Sequence, residues 1–159
     1  MALNLAAATL LAFDIDGTLT DATTWWGGPE LGWLQRYSVR DGEALLRLRT
    51  RIPVVPLSRN KTKVARVRME ALGFDTRWLG TSDKVESLWE ICDAFSVQPA
   101  GVCHVGDGPD DASVFKEIGF GLAVADAHPE ALAAAALVLD SPGGQRVIEE
   151  IELRMGGHR

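Results

Sequence analysis

Phe13-Asp14-Ile15-Asp16-Gly17-Thr18-Leu19-Thr20 is the stretch on which the reading of this chain turns. The apolar run from Thr9 to Phe13 leads into it and reads as a buried strand. Asp14 and Asp16 fall at or just past the end of that strand, where the backbone can turn both acids toward a common point. Two carboxylates so close repel, and each raises the other's pKa unless a cation sits between them. An oxygen-rich cluster suits a hard divalent ion such as Mg²⁺. Gly17 lets the chain turn and present bare N–H groups, which suit an anion. Acid, metal and phosphate are thus suggested in one place. A strand closed by an ordinary Asp-Gly turn would look the same in isolation, so the rest of the chain has to decide.

Outward from this stretch, strands and helices alternate. Residues Ala22 to Val39 hold Trp25, Trp26, a Gly27-Gly28-Pro29 turn signal and a second mixed run containing Trp33 and Tyr37, which reads as a β-hairpin or flap. Asp41 is a plausible N-cap for an amphipathic helix. Ile52 to Leu57 is apolar and ends at Ser58, although Pro53 and Pro56 each remove a ladder donor. A helix over Val64 to Leu72 stops at Gly73, and Thr76 to Leu79 is strand-like. Ser82 is expected to cap a helix with Val85, Leu88, Trp89 and Cys92 on one stripe. Gly101 to Val105 is a second buried strand, followed by Gly106-Asp107-Gly108-Pro109-Asp110-Asp111 and a helix to Ile118. Strand Phe120 to Val124, helix Pro129 to Ala136, strand Leu137 to Leu139 and helix Gln145 to Met155 complete the pattern. Such alternation predicts an α/β fold: a Rossmann-like parallel sheet with helices on both faces. Ligands bind beyond the carboxyl ends of the strands in such sheets. Asp14 with Asp16, Ser58 and Asp107 all fall at that edge, and Lys84 lies in a strand-to-helix connection.

Composition sets bounds on function. The 159 residues are 47% hydrophobic and 24% charged, which suits one domain with a real core over residues 1–159. The net charge of −6 argues against nucleic-acid binding through a basic surface. Cys92 and Cys103 sit in apolar surroundings and read as core thiols. The first ten residues lack a basic region, and Asp14 interrupts the apolar run, so neither a signal peptide nor a membrane span is expected. A cytoplasmic location is the default. His104 reads as a core histidine, His128 as a helix-start residue, and His158 carries no argument.

The order of these motifs resembles the haloacid dehalogenase superfamily of phosphotransferases. The matching pieces are Asp14-Ile15-Asp16-Gly17-Thr18, Ser58, Lys84, and Gly106-Asp107 with Asp111. Asp14 through Asp21, Val39-Arg40-Asp41-Gly42, Gly80 through Lys84, Val124 through Pro129 and Gly143-Gly144 resemble the small branch of 3-deoxy-D-manno-octulosonate 8-phosphate phosphatases. That branch also holds nonulosonate 9-phosphate phosphatases and the C-terminal domain of some sialic acid cytidylyltransferases. Three features depart from it. Gly108 stands where a second acid is usual, with Asp110 nearby. Arg59 follows Ser58 directly. Gln145 through Glu150 replaces the usual C-terminal run, with Glu149 where an arginine is expected and Arg146 close by.

The resemblance implies a Mg²⁺-dependent phosphatase acting through an aspartyl-phosphate. Asp14 would be the nucleophile and Asp16 the general acid and base. Asp14, the Asp16 carbonyl and Asp107 would hold the metal. Ser58 and Lys84 would bind phosphate, and Asp111 would orient Lys84 or a metal-bound water. The implied substrate is a phosphorylated sugar acid, gripped by Arg59, Arg66 or Arg68, of which Arg68 sits where relatives have an arginine. No large cap domain is expected. A homotetramer would instead close each site with a neighbour's flap, and Trp25, Trp26, Trp33 and Tyr37 fit such an interface. Two alternatives stay open: a non-catalytic assembly domain, and a phosphatase whose specificity has moved to another sugar or secondary-metabolite pathway.

Overall fold

The computed structural model describes residues 3–156. Strand β1 (Leu10–Phe13) is buried throughout, and its residues alternate between the two faces of a sheet. Leu11 and Phe13 join one apolar cluster, with Leu45 and Leu48 of α1 (Val39–Leu48), Met69 of α2 (Lys63–Ala71) and Ile148 and Ile151 of α6 (Val147–Arg154). Leu10 and Ala12 join the other, with Leu88 and Ile91 of α3 (Lys84–Phe95) and Val114 of α4 (Pro109–Phe115). Each fully buried Leu or Phe contributes roughly 1.5–3 kcal/mol. A strand buried on both faces therefore anchors everything attached to its end.

Strand β4 (Val54–Pro56) flanks β1 on one side and β5 (Val102–Gly106) on the other. With β6 (Phe120–Ala123) and β7 (Leu137–Val138) the order is β4-β1-β5-β6-β7, and every pairing is parallel. Phe13 lies opposite Pro56 and Val105. The three chains thus leave the sheet at the same level, and Asp14, Ser58 and Asp107 emerge on one edge. Helix α5 (Pro129–Ala134) connects β6 to β7. Among the described residues no domain-sized insertion interrupts the fold, and no helix is long and apolar enough to cross a membrane. Between β1 and α1 stands a small antiparallel hairpin, β2 (Trp25–Trp26) with β3 (Trp33–Leu34).

Several local expectations need correction. Pro56 of β4, and Pro53 just before it, are tolerated because β4 is an edge strand. Residues 76–79 form no strand. Ser58 bridges Leu79 alone, and the Ser58 carbonyl accepts from Gly80 and Thr81 N–H, so this segment wraps the end of β4. Ser38, not Asp41, caps α1, accepting from Asp41 N–H at 3.2 Å. Asp83, not Ser82, caps α3, its carboxylate accepting from Val85 and Glu86 N–H. Trp89 points outward, because the buried stripe of α3 runs through Leu88, Ile91 and Cys92. Both cysteines are free and buried, as expected. His128 caps α5, accepting from Glu130 N–H. His158 lies outside the described residues.

Candidate active site

The turn after β1 is held from below and above. Asp14 N–H donates to the Val105 carbonyl at 3.0 Å, which ties the acid to the end of β5. Gly17 has φ +78°, and a Cβ there would stand 2.1 Å from an Asp107 oxygen. Only glycine makes this turn and leaves Asp107 in place. From the other side Gly143 packs so closely that a Cβ would meet the Gly17 carbonyl at 2.1 Å, while Gly144 N–H donates to Thr18 O at 2.8 Å. Asp126 anchors this loop by accepting from Gly143 N–H, and His128 N–H donates to the Asp107 carbonyl. The motifs around Asp126-His128 and Gly143-Gly144 therefore brace the site.

At the centre is a buried charge network. Lys84 Nζ lies 3.0 Å from Asp14 Oδ1 and 2.7 Å from Asp111 Oδ1. Burial opposes the ammonium, but Asp14 and Asp111 together hold the Lys84 pKa above its ordinary value. The Asp111 Oδ2 accepts from Asp107 and Gly108 N–H, at 3.1 and 3.0 Å. Its Oδ1 also meets His104 Nε2 at 2.7 Å. Burial works against the Asp111 carboxylate, yet His104 and Lys84 hold it well below the usual range. Asp14 moves the other way, raised by burial more than Lys84 and Ser58 lower it. Asp107 is pushed up to about 7 by burial and by the neighbouring Asp14 and Asp111.

Asp14, Asp107 and Asp111 each offer a carboxylate oxygen, all within 4.8 Å of one another. Such a set fits a hard divalent cation. Asp111 already uses both oxygens on four donors, so Asp14 and Asp107 carry the free acceptor capacity. Asp111 then locks Lys84. Burial first, and the neighbouring Asp14 and Asp111 after it, raise the Asp107 pKa, and a divalent cation held in this cluster would favour its carboxylate.

A cavity of about 180 Å³ brings Asp14, Asp16, Ser58, Lys84, Asp107 and Asp111 together, with Arg59 at its wall. Arg59 pairs with Asp110 at 2.8 Å, so Asp110 holds this arginine and stands apart from the three-acid cluster. A larger cavity of about 440 Å³ opens beside it, between the flap and the β4 loop. Asp16, Arg59 and Asn60 line both cavities. Arg68 lines neither: its guanidinium stacks on the Tyr37 ring, 5.8 Å from the centroid. Arg66 donates to Thr76, and Arg146 pairs with Glu149 at the start of α6. Three residues singled out by no motif also belong here: His104, Gln35 and Asn60. The last two both donate to the Asp16 carboxylate.

Residues 80–150 match a family model of haloacid dehalogenase-like hydrolases. The 3-deoxy-D-manno-octulosonate 8-phosphate phosphatase of Salmonella typhi is 32% identical over 145 residues, covering 89% of this chain and 76% of the relative. The crystal structure of the enzyme of the same name from Yersinia pestis is similar at a TM-score of 0.86 and 30% identity, covering 97% of this chain and 85% of that one. The cobalt-bound deoxy-D-mannose-octulosonate 8-phosphate phosphatase of Haemophilus influenzae gives a TM-score of 0.85 at 26% identity, covering 96% of this chain and 92% of that one. The acids, serine and lysine on one sheet edge and this kinship lead to one conclusion: the chain is a phosphatase of the haloacid dehalogenase superfamily, in the branch of the 3-deoxy-D-manno-octulosonate 8-phosphate phosphatases.

Proposed function

We propose that this protein is a Mg²⁺-dependent monoesterase for a sugar-acid phosphate, 3-deoxy-octulosonate 8-phosphate or a nonulosonate 9-phosphate, working through an aspartyl-phosphate. The observation that carries the reading is the Asp14 carboxylate, held by Lys84 beside Asp107 at the end of β1. A carboxylate so placed is a recognised nucleophile toward phosphorus. One Asp14 oxygen attacks phosphorus and the ester oxygen departs, taking a proton from Asp16. A water then attacks the aspartyl-phosphate, gives its proton to Asp16, and frees Asp14 and phosphate. General acid–base work of this kind supplies about 10²- to 10⁴-fold. Lys84 faces the equatorial oxygens, where charge spreads in the transition state. Ser58 and the N–H groups after Asp14 hold the remaining phosphate oxygens. Asp14, the Asp16 carbonyl and Asp107 would hold Mg²⁺, which would supply neutralisation of the repulsion between a carboxylate and a phosphate dianion. The cobalt-bound relative supports a divalent ion as the cofactor. Arg59 reaches the cavity wall where a sugar carboxylate would lie.

The flap is too small to cover the site, and a homotetramer that covers it with a neighbour's flap completes the proposal. The test is phosphate release with Mg²⁺ from octulosonate 8-phosphate, nonulosonate 9-phosphates and hexose phosphates in parallel. Selective turnover of one sugar acid is expected, lost with EDTA and lost in Asp14→Asn. Turnover by Asp14→Asn would overturn the covalent mechanism, and release from no sugar acid would overturn the substrate class.

A further inference from the structure

Asp16 is held by two amides that come from opposite sides. Asn60 Nδ2 donates to Asp16 Oδ2 at 2.8 Å. Gln35 Nε2 donates to Asp16 Oδ1. Each amide is itself oriented. Asn60 Oδ1 accepts from Thr62 N–H at 2.8 Å and from the Thr62 hydroxyl at 2.6 Å. A backbone N–H can only donate, so the nitrogen of Asn60 has to face Asp16. The Tyr37 hydroxyl donates to Gln35 Oε1 at 3.0 Å, and the Tyr37 ring lies under Arg68. Gln35 belongs to the chain leaving β3, and Asn60 to the loop leaving β4. Asn60 is nearly buried.

Resting on the phosphatase reading above, we propose that Gln35 and Asn60 are positioning residues that aim Asp16 at the leaving-group oxygen, with Tyr37 and Arg68 as a buttress on the flap side. Asp16 stands in both cavities, so its carboxyl has several directions open to it. Two donors, one per oxygen, fix the plane of the carboxyl group. A proton donor misplaced by an ångström loses about 100-fold. The flap is thereby coupled to proton transfer: a hairpin that swings away withdraws Gln35 and frees Asp16 on one side. Arg68, which lines neither cavity, acquires a role through Tyr37.

The role separates from ordinary structural damage by leaving group. An alkoxide leaving from a sugar phosphate needs a proton from Asp16, whereas p-nitrophenolate does not. The ratio kcat/KM ends at departure of the leaving group, so it reads the acid role of Asp16 without its later role as base. Asn60→Ala and Gln35→Ala should lower kcat/KM for the sugar-acid phosphate that the wild type turns over, an alkyl ester, by about 10- to 100-fold. For p-nitrophenyl phosphate the change should stay within about threefold. Asn60→Asp, which keeps the shape and replaces the donor by a charge facing Asp16, should lose at least as much as the alanine variant. Parallel loss on both esters, or no loss on either, overturns the inference while wild type and Asp14→Asn keep the parent reading intact. A wild-type protein inactive on both esters overturns both.

Discussion

Asp107 is the residue at which proton and metal compete most directly. Burial and two neighbouring acids push its pKa up to about 7 when no cation is bound. The sign is that of an acid whose folded pKa is raised. Its contribution to stability is complete below the unfolded value and is lost as pH rises through about 7. A divalent ion requires the carboxylate, so binding expels the proton. Calorimetric titration with Mg²⁺ in buffers of different ionisation enthalpy should therefore show close to one proton released per ion at pH 6 and close to none at pH 8. Affinity should fall about tenfold per pH unit below 7 from this group alone. Proton release that does not change between pH 6 and 8 would contradict the assignment of Asp107 as a ligand. Asp14, Asp16, Ser58 and Asp107 were legible in sequence because strand ends are predictable and the strands are parallel. Gln35, Asn60 and His104 were not. An amide near a strand end has many partners open to it, and only the packed fold selects the Asp16 carboxylate or Asp111.

Helix α6 shows the same limit at the scale of an element. The sequence suggests a helix from Gln145 and treats Asp41 as the cap of the helix near it. The structure starts α6 at Val147, because Arg146 takes a left-handed conformation with φ +66° and offers no side-chain cap. Asp41 supplies that cap from another element: its Oδ1 accepts from Ile148 N–H at 2.9 Å and Glu149 N–H at 3.2 Å. Those donors belong to the first turn of α6, where a carboxylate also meets the positive end of the helix dipole. No local pattern announces a cap that lies 107 positions away. Asp41→Ala should remove it and cost about 1–2 kcal/mol in urea unfolding. Asp41→Ser, which keeps an oxygen but shortens the reach, should recover little of that. The Arg47–Glu152 pair also joins α1 to α6, with contacts of 2.8 and 2.7 Å. An unchanged midpoint in Asp41→Ala would mean that this pair and the apolar contacts alone hold α6.

For the molecule as a whole, the hairpin is the feature that the rest of the chain does not explain. Trp25, Trp26, Leu31 and Trp33 expose 47%, 56%, 68% and 59% of their surface. Trp26 and Trp33 stack edge to face, 5.4 Å between centroids, so the aromatic rings form one patch. An aromatic patch held out on a two-stranded ribbon gains more by being covered than by staying in water. In the proposed homotetramer a neighbouring copy covers it, and the flap is thereby fixed over a site that its own chain leaves open. Aromatic anchors dominate interfaces of this kind, often at 2 kcal/mol or more each. Light scattering should therefore report a tetramer for the wild type and smaller species for Trp26→Ser with Trp33→Ser at micromolar concentration. Urea midpoints at high dilution should change little, because the exposed rings add little to the core. If the flap is fixed by the neighbour, the same double variant should also lose alkyl-phosphate turnover, since Gln35 reaches Asp16 from the end of this hairpin. A double variant that stays tetrameric would move the interface elsewhere. A wild type that is monomeric would overturn the homotetramer.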